Sequence, residues 1–101
     1  MKSTYKIIWS EEAINGLKKT VSYLEQKWTQ KELYNFSRLL DKQLNIIKEN
    51  PGIFPFSNRK KAVRKSVLSK QTSIYYKTDG DSIYILSVFD NKQNPNKLKL
   101  Q

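Results

Sequence analysis

The chain has 101 residues, 38% of them hydrophobic, so we expect a single domain (residues 1–101) with a modest core. It contains neither cysteine nor histidine. That excludes disulfides and thiolate catalysis, and we expect no metal site and no cofactor. The formal net charge is +10. Residues 51–101 carry +7 of it, ten Lys and Arg against three Asp. Such clustering favours an anionic partner, either nucleic acid, an acidic protein segment or an anionic membrane, over charge that serves solubility alone.

The first residues lack the long apolar stretch of a signal peptide. No later segment is apolar and long enough to cross a bilayer. The sequence therefore predicts a cytoplasmic protein without a membrane partner.

The first half of the chain predicts a strand followed by a helix. Residues 5–9 are rich in β-branched and aromatic side chains, which is typical of a strand. Ser10 is a good helix N-cap, and Glu11 and Glu12 favour the positive end of the helix dipole. The apolar face of this helix follows steps of three and four: Ile14, Leu17, Val21, Leu24 and Trp28.

A second helix is predicted from the Thr29–Glu32 segment, which fits a capping box. The segment Asn50-Pro51-Gly52 ends it, because proline cannot continue a helix. The connection between the helices is short, so we expect an antiparallel helical hairpin. The apolar face of the second helix consists of Leu33, Phe36, Leu40, Leu44 and Ile47.

The second half predicts an apolar loop and three strands. Residues 53–56 form the loop, and strands are expected at 62–68, 72–77 and 82–89. Asp79-Gly80 predicts a type I′ hairpin turn, and the continuously apolar last strand should lie inside the sheet. The resulting fold class is α+β, with the order βααβββ and a helical hairpin packed on a mostly antiparallel four-stranded sheet.

The first candidate site is a basic cluster on the approach to the second strand. Its cations can pair with phosphates or carboxylates, although a charged edge strand also protects a sheet from unwanted pairing. Strand alternation places Arg64 on the face opposite Lys65, which makes Arg64 the better functional candidate. The cluster comprises Arg59, Lys60, Lys61, Arg64 and Lys65.

Two further candidates follow along the strands. The aromatic residues could stack on bases, but core and cross-strand packing is the favoured interpretation. The polar segment 90–95 at the end of the last strand is either a functional edge or an ordinary turn. The residues concerned are Tyr75, Tyr76, Tyr84 and Phe89 in the first set, and Asp90, Lys92 and Gln93 in the second.

Taken together, several segments resemble the RelE/ParE superfamily, the toxins of bacterial type II toxin–antitoxin pairs. The resemblance covers nearly the whole chain and implies a βααβββ domain that an extended or helical, often acidic, antitoxin wraps. The cationic second half suits such a partner. The segments are Trp9–Ala13, Ile47–Pro51, Val63–Lys65, Ile74–Tyr76, Ile83–Phe89 and Lys92–Pro95.

The superfamily divides by activity. RelE-like members cleave mRNA on the ribosome, which needs a proton acceptor, a proton donor and cations on the phosphate. Arg64 matches a phosphate-stabilising arginine, and Lys61 and Lys92 could complete an unusual site. The acid–base histidine or tyrosine expected after the last strand is missing. The resemblance therefore implies a ParE-like toxin that binds and inhibits DNA gyrase.

Three functions remain open at this point. The first is the ParE-like gyrase inhibitor, with target or antitoxin contacts from the basic cluster and the 90–95 segment. The second is a RelE-like endonuclease whose partners are the ribosome and mRNA. The third is a non-toxic module that binds nucleic acid or an antitoxin. The contact residues expected under the first function are Arg59, Lys60, Lys61, Arg64, Asp90, Lys92 and Gln93.

Overall fold

The computed structural model describes residues 5–27, 30–91, 93 and 95–100, without the side chains of Leu24, Lys27 and Pro95. The predicted order of elements is confirmed, and a short 3₁₀ turn follows the last strand. The elements are β1 (Lys6–Trp9), α1 (Glu11–Lys27), α2 (Gln30–Glu49), β2 (Arg64–Val67), β3 (Thr72–Asp79), β4 (Ser82–Asp90) and the turn Pro95–Lys97.

The four strands form one sheet in the order β1-β4-β3-β2. Strand β1 runs parallel to β4, with Lys6 opposite Ser82, and the other two pairings are antiparallel. Strand β4 therefore lies inside the sheet, as its continuous apolar run predicts. The α+β class and the mostly antiparallel four-stranded sheet are confirmed.

Ser10 joins the start of α1 to the sheet. Its side-chain oxygen accepts a hydrogen bond from the N–H of Ala13 at 3.0 Å, so the predicted N-cap is confirmed. The same hydroxyl donates to the carbonyl of Leu86 at 3.0 Å, and the Ser10 N–H donates to Ile85 at 3.0 Å. Farther along α1, a Cβ added to Gly16 would lie 2.3 Å from the Val88 carbonyl oxygen. Glycine there lets the helix backbone rest directly on β4.

The main core lies between the helices and the sheet face that they cover, which we call the inner face. Ile14 was expected in this core but is 39% exposed, and its neighbour Ala13 is fully buried instead. The predicted apolar face of α2 is confirmed from Phe36 to Ile47. Thr29 and Trp28 lie outside the described residues. The buried members of this cluster are Ala13, Ile47, Leu68, Ile74, Tyr76, Ile83, Ile85 and Val88.

The opposite face, the outer face, carries a second and smaller cluster that the sequence analysis did not anticipate. The last described residues fold back onto it, so that Leu98 and Leu100 pack against the sheet. In β4 the register shifts so that Leu86 has no partner in β3. This bulge lets Ile85 and Val88 both reach the inner face. The buried residues of the outer cluster are Val63, Tyr75, Leu86, Phe89 and Leu100.

Two local predictions are wrong. Strand β2 begins at Arg64, two residues later than expected, because Ala62 has a positive φ of 69° that no strand can contain. The β3–β4 hairpin exists, but its central residues are Gly80 and Asp81, since Asp79 pairs with Ser82. Only Gly80 has a positive φ, 62°, so the turn is not type I′, which requires positive φ at both positions.

Candidate functional site

Arg64 opens β2 and points toward the loop that follows α2. Its Nη1 donates a hydrogen bond to the Phe54 carbonyl at 2.6 Å, and its guanidinium lies 3.9 Å from the centroid of the Phe56 ring. In the sheet Arg64 stands opposite Tyr76, on the face away from Lys65 as predicted. The guanidinium is half-buried, so it is held by the protein and still reaches the surface.

Tyr76 supports this arrangement from the core. Its hydroxyl donates to the Pro51 carbonyl at 2.6 Å, and its ring meets Phe54 edge-on at 6.5 Å between centroids. Burial raises the pKa of Tyr76 to about 12, and the nearby positive charge of Arg64 offsets only part of that rise. Tyr76 is therefore a neutral hydrogen-bond donor at physiological pH and cannot serve as a base there.

The rest of the basic cluster lies in the loop before β2, where Arg59, Lys60 and Lys61 are exposed. The Arg59 N–H donates to the Ser57 hydroxyl at 3.0 Å, which fixes the turn of the loop. The Lys60 ammonium donates to the Leu100 carbonyl and so joins this loop to the C-terminal tail. Arg64 lies three residues beyond Lys61 along the chain, but its guanidinium faces the Phe54–Phe56 loop, whereas Lys60 reaches the tail.

Asp90 and Gln93 lie elsewhere, beyond the end of β4. Asp90 stands opposite Thr72, and the Gln93 N–H donates to the Asp90 carbonyl at 3.0 Å. The side chain of Asn91 braces this turn, accepting from Ser73 at 2.8 Å. The turn interpretation is therefore confirmed, and the functional-edge interpretation stays a prediction. Lys92 and Asn94 lie outside the described residues.

The predicted contact residues fall into two groups. Arg64 in β2 pairs with Tyr76 of β3, and Asp90 in β4 pairs with Thr72 of β3. The two residues therefore lie two strands apart across the sheet and four residues apart along it. With strands about 4.8 Å apart and about 3.3 Å per residue, their backbones are roughly 16 Å apart. One small ligand cannot contact both groups.

Asp90 and Gln93 line a groove of about 1190 Å³ that neither Arg64 nor the 59–61 loop reaches. Its walls are α1, the first half of α2, the β2–β3 turn, the end of β4 and the tail. Five lysines and three carboxylates surround it: Lys18, Lys19, Lys70, Lys97 and Lys99, with Glu12, Glu32 and Asp90. No local sequence pattern predicts this groove, because its residues come from five separate segments.

The aromatic candidates are part of the protein's own packing. Tyr75, Tyr76 and Phe89 are buried, so the core interpretation is confirmed for them and base stacking is excluded. Tyr84 is half-buried, with the Lys77 ammonium 5.9 Å from its ring centroid. Phe56, which was not among the candidates, is an aromatic ring that does reach the surface beside a cation, and it is 60% exposed. Its only signal in the sequence is its place in a short apolar loop.

Within the described ranges, no group of three or more carboxylates is arranged to hold a metal ion. Neither described helix is long and apolar enough to cross a membrane.

Searches with the sequence find no matching protein family and no matching characterised protein. Comparison of structures does find matches. The chromosomal ParDE TA system from P. aeruginosa matches with a TM-score of 0.73 and 13% identity, covering 87% of this chain and 97% of that chain. The YoeB/ParE toxin from Agrobacterium tumefaciens matches with a TM-score of 0.62 and 9% identity, covering 85% and 98%.

A third match is the E. coli DinJ-YafQ toxin-antitoxin complex, with a TM-score of 0.59, 11% identity and coverage of 86% of this chain and 92% of that chain. The resemblance is therefore confirmed for the fold, which this chain shares with the toxin and toxin-antitoxin structures that it matches.

Proposed function

We propose that this chain is the toxin of a type II toxin–antitoxin pair, that a cognate antitoxin neutralises it, and that it acts by binding DNA gyrase. The observation that carries the proposal is the fold, which matches 97% of a chain of the ParDE system with a TM-score of 0.73. The +7 charge of residues 51–101 supports an acidic antitoxin segment as partner.

The chemistry around Arg64 supports binding over cleavage. Cleavage of RNA through its 2′-hydroxyl needs a group that accepts a proton and a group that donates one. Among the described residues, the titratable neighbour that stands opposite Arg64 is Tyr76, whose hydroxyl is already bonded to Pro51 and whose pKa is about 12. Arg64 itself stabilises the Phe54–Phe56 loop. These contacts favour a gyrase inhibitor.

The test is DNA supercoiling by gyrase in the presence of the purified chain. We expect inhibition that the antitoxin reverses, while mRNA on translating ribosomes stays intact. Cleaved mRNA together with unaffected gyrase would overturn the proposal.

The alternative is a ribosome-dependent mRNA endonuclease built on Arg64, Lys61 and Lys92. One observation supports it: Arg64 is only partly buried and Lys61 is exposed, so each cation remains accessible to a phosphate. In that case Arg64→Lys would keep the positive charge but lose the bidentate hydrogen bonding of a guanidinium to phosphate. Cleavage of mRNA should then fall sharply. Unchanged cleavage by a folded Arg64→Lys variant would argue against this site.

The third hypothesis, a non-toxic binding module, is separated from both by expression alone. Expression without the antitoxin should arrest growth, and co-expression of the antitoxin should restore it. A short acidic reading frame beside this gene is the cheapest supporting observation. Normal growth at full expression of the folded chain would favour the binding module.

A further inference from the structure

The loop after α2 displays apolar side chains where a small protein would be expected to hide them. Ile53 is 55% exposed and Phe56 is 60% exposed, although Phe54 between them packs into the main core. Scattered exposed hydrophobic residues are normal on any protein surface. Ile53 and Phe56 lie on either side of the partly buried Phe54, and the Arg64 guanidinium stacks on Phe56, so the loop presents both side chains from one anchored base. We call Ile53, Phe56 and Arg64 the Phe56 knob.

The backbone beneath the Phe56 knob is fixed at several points. The Pro51 carbonyl accepts from Tyr76, the Phe54 carbonyl from Arg64, and the Pro55 carbonyl from the Lys65 N–H at 3.0 Å. The Ser57 N–H donates to Val63 at 2.6 Å. These bonds tie a seven-residue loop to β2 and β3. A partner would therefore meet the knob already in place and would not have to order the loop on binding.

The loop that follows the Phe56 knob is basic. Residues 57–63 contain three cations, Arg59, Lys60 and Lys61, and no Asp or Glu. Arg59 and Lys61 are exposed in the loop next to the knob. An apolar projection bordered by cations is complementary to an apolar pocket bordered by carboxylates.

We infer that the Phe56 knob is the contact through which this chain binds its protein target, inserting into an acidic-rimmed apolar pocket on the surface of gyrase; this inference rests on the proposed function. The shape argues for a folded target. A knob needs a partner with a concave pocket, whereas an antitoxin segment that wraps the toxin has none of its own and suits a groove. Single-stranded nucleic acid would use aromatic stacking, to which the aliphatic Ile53 contributes nothing.

The experiment compares gyrase supercoiling inhibition by wild-type protein, Phe56→Ala, Ile53→Ala and the control Tyr34→Ala. Tyr34 is matched to Phe56, being 60% exposed with the Arg38 guanidinium 5.8 Å from its ring centroid, but it lies on α2. We expect Phe56→Ala to raise the half-inhibitory concentration at least about tenfold and Ile53→Ala about threefold, as for buried anchors of an interface. Tyr34→Ala should stay within about twofold.

Each result has a defined meaning. Ile53 is exposed and makes none of the hydrogen bonds that hold Arg64, so its variant tests the contact without disturbing the loop. Wild-type inhibition that both knob variants retain would overturn the inference and leave the proposed function standing. Absence of wild-type inhibition would overturn the two together.

Two further measurements test whether the antitoxin or single-stranded nucleic acid binds the Phe56 knob instead. The antitoxin should bind Phe56→Ala with the wild-type affinity, and a fluorescent single-stranded oligonucleotide should show the same affinity for both proteins. Loss of either interaction in Phe56→Ala, with gyrase inhibition unchanged, would assign the knob to that partner and reject the inference.

Discussion

The inner face of the sheet lies under two helices, whereas among the described residues the outer face is covered by the end of the tail, through Leu98 and Leu100. Helices α1 and α2 bury an almost continuous layer of branched and aromatic side chains on the inner face. On the outer face a few side chains surround Leu100, and Ile8 and Val67 remain 41% and 57% exposed. The difference teaches that stability is concentrated on one side of the sheet. Substitutions on the outer face should therefore lower the free energy of unfolding less than substitutions on the inner face.

The largest expected effect is loss of a side chain from the centre of the inner face. Ile85 is fully buried, so Ile85→Ala should lower the free energy of unfolding by about 3 kcal/mol, from lost burial and the cavity left behind. Chemical denaturation measures it. Ile8→Ala, at a half-exposed position of the same sheet, is the control and should cost well under about 1 kcal/mol. Equal losses at the two positions would contradict the contrast between the faces.

The next effect is a loss of stability at alkaline pH that belongs to the inner face. The pKa of Tyr76 is about 12 in the folded protein and 10.0 as the unperturbed value. The unfolded state therefore releases this proton first, and stability is full below pH 10 and falls between pH 10 and 12. The total loss should be on the order of 2 kcal/mol. Denaturation at several pH values measures it, and the fall should be shallower in Tyr76→Phe; an identical slope would contradict the assignment.

A smaller effect is expected on the outer face. Leu100→Ala removes the side chain through which the tail covers Val63, Tyr75 and Phe89. Because the residue lies in a tail joined to the body by few contacts, the cost should be about 1–2 kcal/mol. Thermal and chemical unfolding measure it. A loss as large as that of Ile85→Ala would show that the outer cluster is as important as the main core.

The smallest expected effect is an increase in the free energy of unfolding. Ala62 adopts a φ of 69°, which glycine tolerates better than alanine does. Ala62→Gly should therefore stabilise the protein by about 0.5–1 kcal/mol, reduced by the greater freedom of glycine in the unfolded chain. The neighbouring exposed position Lys61→Gly serves as the control and should give no gain. A destabilised Ala62→Gly would mean that the strain at this residue is already relieved.

The sequence predicted the inner face well because its signals are local. The period of α2, the N-cap at Ser10 and the continuous apolar run of β4 each follow from a few neighbouring residues. Ile14 was misplaced because alanine at position 13 gives a weaker apolar signal than isoleucine at 14, although the helix turns Ala13 toward the sheet. The outer cluster was missed because Leu98 and Leu100 alternate with lysines in a tail that is polar on average.

The candidate site was predicted in part. Arg64 was identified from strand alternation, and the structure places it on the expected face. Its distance from Asp90 depends on the register of three strands, which no local pattern encodes. Its stacking on Phe56 depends on how the 57–63 loop turns back, which no periodic pattern in the sequence encodes. Whether Arg64 and its neighbours bind gyrase remains a prediction for the supercoiling assay.

The parallel pairing of β1 with β4 has a consequence for synthesis. Lys6 lies opposite Ser82, so the first strand waits for a partner that the ribosome makes more than seventy residues later. Until β4 emerges, β1 and β3 have no strand between them, and Ser10 lacks the carbonyl of Leu86 that ties α1 to the sheet. Such long-range closure is a late folding event. A chain cut short before β4 therefore cannot assemble this sheet, and β1 finds its neighbour only once residues 82–90 have been made.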